Sequence, residues 1–134
     1  MKSKPTLELA DVKRIAAAAE AEAVANGWAV SIAIVDDGGH LLWLQRLDGA
    51  APISAQIAPA KANTAALGRR ESRVYEETIN QGRTSFLSAP ALRGMLEGGV
   101  PIVVGGSSAH FSSPGSPDSR IRVPRSSSWA SPAT

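Results

Sequence analysis

Lys61 and Thr64 lie one helical turn apart in Ala60-Lys61-Ala62-Asn63-Thr64-Ala65-Ala66, a stretch otherwise made of small residues. Facing a cavity from such a helix, an ammonium could hold a carboxylate. It could also lose its proton more readily, because burial disfavours its charge, while the hydroxyl adds a hydrogen bond. The competing reading is a lysine whose stem lies along the helix edge with its head in water. Spacing alone does not separate the two.

Asp36-Asp37-Gly38-Gly39-His40 is the second candidate. An imidazole beside two carboxylates could ligate a metal or move a proton near neutral pH. Read structurally, the same residues are a hairpin turn followed by an ordinary histidine. Zinc needs three or four ligands, and the one other histidine is His110, so no metal-ion site is expected. Arg69-Arg70-Glu71, with Arg73 beyond it, could clamp an anionic ligand or simply form a solvated helix end. No glycine-rich nucleotide loop, nucleophile elbow or zinc-protease motif occurs in the patterned region.

The elements that must position these groups follow from periodicity. Thr6 is placed to cap a helix running to about Asn26-Gly27, with Leu9, Val12, Ile15, Ala16, Ala19 and Ala23 as its apolar stripe. Trp28 to Val35 is a strand apolar on both faces. Asp36 to Gly39 turns the chain, and His40 to Arg46 returns antiparallel. Ser54 or Ile53 begins a second helix ending near Leu67-Gly68, in which Pro59 fits only near the first turn or at a kink. Arg69 to Gln81 is helical with Val74, Tyr75, Thr78 and Ile79 on one stripe. Phe86-Leu87 reads as a short extended piece, and Val100 to Val104 as a third strand.

The character of the chain changes after Gly105-Gly106. From Ser107 to Thr134, ten of 28 residues are Ser and four are Pro, with no periodicity that could bury a face. We therefore divide the 134 residues into one domain, 1–106, and an atypical tail, 107–134. The net charge is +2, and residues 1–106 carry 11 basic against 11 acidic side chains. Nucleic-acid binding would need a basic face with interleaved aromatics, so it is not expected. There is no cysteine, and hence no disulfide or thiolate chemistry. With no apolar leader or membrane-length run, the expectation is a cytoplasmic protein without membrane partners.

Five segments, in order, carry a resemblance. They are Leu9-Ala10-Asp11-Val12 with the Ala/Glu stretch behind it, Ala33-Ile34-Val35-Asp36-Asp37-Gly38-Gly39-His40-Leu41, and Arg46-Leu47-Asp48-Gly49-Ala50. Then come Ala60-Lys61-Ala62-Asn63-Thr64-Ala65-Ala66 and Leu96-Glu97-Gly98-Gly99-Val100-Pro101-Ile102. Together they resemble the HbpS/GlcG-like haem-binding proteins and the C-terminal domain of PduO-type proteins, over residues 6–104. The resemblance implies an α+β domain with a central antiparallel sheet of about five strands flanked by helices, assembled as a homo-oligomer. It also implies a pocket that binds haem in some members, while others accompany small-molecule or aromatic catabolism. After Val104 the family continues with a glycine-rich strand and an acidic helix, where this chain has its Ser/Pro/Arg tail. We read that change as a frameshift, the other reading being a genuine extension.

The resulting expectation is a haem, tetrapyrrole or other small-ligand binding protein, with His40, Lys61, Thr64, Arg69 and Arg70 at the cofactor site. The alternative is an isomerase or tautomerase acting on a small unsaturated dicarboxylate. In that case Lys61 or His40 would move the proton, and Arg69 or Arg70 would hold a carboxylate.

Overall fold

The computed structural model describes residues 1–104 and 107–108. Helix α1 spans Leu9–Ala25. It starts later than a Thr6 cap would allow, because Asp11 reaches back and accepts the Glu8 backbone N–H at 3.0 Å. That contact closes the first turn, and Thr6 stays exposed ahead of it. Val12, Ile15, Ala16, Ala19 and Ala23 form the buried stripe. Leu9, at the first helical position ahead of Val12, does not join it and is 61% exposed.

Strands β1 (Ser31–Val35) and β2 (Leu41–Arg46) form the antiparallel hairpin. Ile34 faces Trp43 and Val35 faces Leu41, so Leu42 is an extra residue in β2, a bulge that bends the strand. Helix α2 follows at Ser54–Gly68. β1 is buried on both sides, which accounts for its unbroken apolar run. Ile34 packs with Val12, Ile15, Ala16 and Ile102 on one face. Ala33 and Val35 pack with Ala62 and Ala66 of α2 on the other. Ser31 and Ser54 hydroxyls, 2.7 Å apart, pin the start of α2 to the start of β1. Pro59 lies in the second turn of α2 rather than the first, so the carbonyl of Ala55 loses its helical N–H partner there.

Helix α3 is shorter than its periodicity suggests, Arg73–Asn80, with Tyr75 its buried residue. The extended piece expected at Phe86-Leu87 is instead a 3-10 turn, Thr84–Ser88. Its backbone has no strand neighbour and closes on itself, with Phe86 N–H to Arg83 O at 3.2 Å and Ala89 N–H to Phe86 O at 3.0 Å. The Phe86 ring meets Tyr75 at 5.9 Å between centroids. The third strand also contracts. Val100 and Ile102 are buried but irregular, because Pro101 between them offers no donor to a ladder. Only Val103–Val104 (β3) is extended, paired antiparallel with Ser107–Ser108 (β4) across the expected boundary at 106.

The architecture is α+β, as the resemblance implied, and the described residues supply two two-stranded antiparallel ladders to it. Residues 109–134, with His110 and the frameshift reading, lie outside the described residues.

The segment between the 3-10 turn and β3 approaches α2 backbone to backbone. A Cβ at Gly94 would overlap the carbonyl of Ala60 and the amide of Lys61. One at Gly99 would overlap the Lys61 carbonyl and stand 2.8 Å from Ser72 Oγ. These neighbours are helix backbone and a buried hydroxyl, which cannot swing away. Gly99→Ala should therefore cost about 1–3 kcal/mol, the usual range for overpacking. Urea denaturation checks this, and an unchanged midpoint would contradict the packing described.

Candidate functional site

The polar residues of α2 serve two different neighbours. Toward the hairpin, Asn63 Nδ2 donates to Gly39 O at 3.0 Å. Gly39 has φ +80°, and a side chain there would collide with Asn63. The turn itself is built by Asp36. Its Oδ1 accepts the N–H groups of Gly38 and His40, each at 2.9 Å, and its own N–H donates to His40 O at 2.8 Å. An aspartate folding its side chain back on the next residues is what favours it in turns. His40 is thus held by its backbone while its side chain is exposed.

Around this turn lie both charged and apolar groups. Lys4 pairs with Asp37, and that hydrogen bond, aided by the field of Arg69, holds the Asp37 carboxyl below its ordinary value of 3.8. Leu67 packs beside Gly39 and is exposed, as is Leu41. Arg69 caps α2 in the left-handed conformation, φ 56°. Arg70 follows it, its Nε 3.4 Å from Gly68 O and its guanidinium 5.8 Å from the Tyr75 ring centroid. Both arginines are exposed. Anion recognition favours such guanidinium pairs.

The second neighbour is the segment 94–99. Thr64 is fully buried and its Oγ1 accepts Gly94 N–H at 3.1 Å. Lys61 Nζ donates to Glu97 O at 3.0 Å. Ser72, also fully buried, accepts Gly99 N–H at 2.7 Å and donates to Leu96 O at 2.5 Å, while its own N–H donates to Gly99 O at 2.8 Å. Glu76 Oε2 accepts Glu97 N–H at 2.6 Å. Four side chains therefore satisfy backbone that lies outside any helix or sheet, as buried polar groups require. Burial pushes the Lys61 ammonium below its ordinary value of 10.5, opposed by the fields of Glu76 and Glu97.

The five expected site residues thus fall into two groups. His40 and Arg69 gather at the hairpin end of α2, with Arg70 next in the chain. Lys61 and Thr64 face the glycine-rich segment. Neither group is a metal cluster, and among the described residues no set of three His, Cys, Asp or Glu side chains could hold an ion. Asn63, Ser72 and Glu76 were not singled out from sequence. A signal existed for the first two: Asn is out of place inside an alanine-rich helix, and Ser is a favoured residue at a helix start. Nothing in the sequence marked Glu76 from its neighbour Glu77.

Residues 7–109 match the model of a family described as haem degrading protein HbpS-like. The chain is 57% identical to the protein GlcG of Escherichia coli over 106 residues, spanning 79% of this chain and 78% of GlcG. A double mutant of HbpS from Streptomyces reticuli superposes with a TM-score of 0.69 at 30% identity, over 81% of this chain and 73% of that one. The crystal structure of a PduOC–haem complex shares the fold, with a TM-score of 0.67 at 24% identity over 84% and 85% of the two chains. No helix among the described residues is long and apolar enough to cross a membrane. By the extent of the family match and its identity to GlcG, the chain belongs to the HbpS-like family.

Proposed function

We propose that this protein binds haem, or a related tetrapyrrole, at the hairpin end of α2, and acts as a binding or sensor protein. The observation that carries the reading is the placement of His40. It is the one imidazole among the described residues, presented outward from a turn whose backbone is fixed by Asp36 and Asn63. Exposed Leu41 and Leu67 supply apolar surface for a macrocycle. Arg69 and Arg70 supply donors for its carboxylates. The donor set fits the group: an imidazole for iron, apolar side chains for the ring, guanidinium for the propionates. When bound, haem would supply the redox and oxygen chemistry of its iron. The protein's own residues bind and orient it.

Lys61 and Thr64 belong to this reading as positioning residues. They hold α2 against segment 94–99, and α2 in turn holds Asn63 against the turn that carries His40. The family description, haem degrading protein, supports the same ligand. A role beside small-molecule or aromatic catabolism, in the cytoplasm, completes the proposal.

We also propose that the protein works as a homo-oligomer. β2 pairs only with β1 among the described residues, and Leu41, Leu42 and Leu44 are all exposed on it. Such an edge invites pairing with another chain.

Haem titration followed at the Soret band tests the first proposal. A saturable band is expected in the wild type, with affinity falling about tenfold or more in His40→Ala, since losing even a ligand's hydrogen-bond partner costs about that much. A band that does not saturate, or one unchanged in His40→Ala, would sink the assignment. Light scattering tests the second: the wild type should exceed the monomer mass of 13.9 kDa, and Leu44→Glu should lower it. A monomeric wild type would exclude the oligomer.

A further inference from the structure

Tyr75 carries a polar atom that the haem reading leaves unused. It is the one tyrosine of the chain, and on α3 it is 8% exposed. Its hydroxyl end stands against Gly68, where a Cβ would collide with Oη. The Phe86 ring lies 5.9 Å away between centroids, and the Arg70 guanidinium 5.8 Å from the Tyr75 centroid. Among the described residues the hydroxyl nevertheless has no hydrogen-bond partner. A buried tyrosine hydroxyl ordinarily has one. Arg70 is similarly unmatched. It is exposed, and its Nε reaches only Gly68 O, at 3.4 Å. The nearby carboxylates of Glu71 and Glu77 are engaged by Arg73, at 2.5 and 2.9 Å. Arg70 itself forms no ion pair among the described residues.

We propose that Tyr75 Oη and the Arg70 guanidinium together form a binding site for a carboxylate. The two groups converge on Gly68, the hydroxyl where its side chain would be and the guanidinium at its carbonyl. A hydroxyl donates one hydrogen bond, and a guanidinium presents several N–H groups in a fixed fork. A carboxylate accepts from both at once, and its charge matches an arginine that no acidic side chain neutralises. Because Arg70 is exposed while the Tyr75 ring is buried, the anion approaches from solvent on the arginine side. Gly68 is required, since any side chain there would displace the hydroxyl. The proposal rests on the haem reading only for the source of the carboxylate, a propionate of the macrocycle or a free small acid.

With a single tyrosine in the chain, isotope-labelled tyrosine gives one NMR resonance that reports this site alone. The full chain is titrated with propionate and, separately, with propionamide. Propionate should shift the resonance saturably, and propionamide should not. Arg70→Ala should weaken the propionate response about tenfold or more, the loss expected of a hydrogen bond to a charged group. A resonance that propionate does not move, or that propionamide moves equally, would overturn the proposal and leave the hydroxyl to water. This arm contains no haem, so its outcome is separate from that of the haem reading. Protoporphyrin and its dimethyl ester then distinguish the sources. A macrocycle carboxylate predicts that the diacid moves the resonance at lower concentration than propionate does, while the ester leaves it in place. A free acid predicts that neither macrocycle moves it, with the propionate response intact. Equal shifts by diacid and ester would overturn the carboxylate's part in binding.

Discussion

The placement of α2, and with it the proposed site, depends on how closely the Gly94–Gly99 segment lies against α2 and α3. Three glycines permit the approach, two of them where a Cβ would strike the backbone of Ala60 or Lys61. Once in place, the segment has no ladder or helix of its own to satisfy its amides and carbonyls. Thr64, Lys61, Ser72 and Glu76 do so instead. A buried polar network is either completed or costly, so the side chains and the glycines require one another. Gly without Ser72 leaves an orphaned amide, and Ser72 without Gly99 has no room.

That contact fixes α2 on one side, and the β1 hairpin fixes it on the other. Ala62 and Ala66 lie against Ala33 and Val35, small enough to bring the helix close to the strand. Asn63 then reaches the turn at Gly39. The two chemically interesting groups, an outward imidazole and a desolvated amine, are thus held by a single helix. The imidazole belongs to the proposed haem site, while the amine sits in the network that keeps the helix in place. One helix serves binding and rigidity together.

Much of this was legible in the residues, and the reasons for the rest are specific. The α1 stripe from Val12 to Ala23, the doubly buried β1 and the Asp-Asp-Gly-Gly turn all follow from periodicity and turn chemistry, and the structure has them. The start of α1 lies beyond Thr6 because the third residue of the helix, Asp11, closes the first turn in its place. Phe86-Leu87 and Val100–Val104 looked extended because β-favouring residues fill them. Strand formation needs a partner ladder, which local sequence does not show. Lys61 and Thr64 were recognisable as a pair, yet not their partners. Contacts separated by 30 and 36 positions leave no local pattern, and Glu76 differs from Glu77 only in where the folded helix points it.

The central claim is that side chains from α2 and α3 clamp the backbone of segment 94–99. Amide hydrogen exchange resolved at Gly94, Glu97 and Gly99 tests it most directly. The account predicts that these three amides are protected to the level of the β1 ladder, although they lie outside any helix or strand. Exchange as fast as at the exposed Gly82 turn would contradict it.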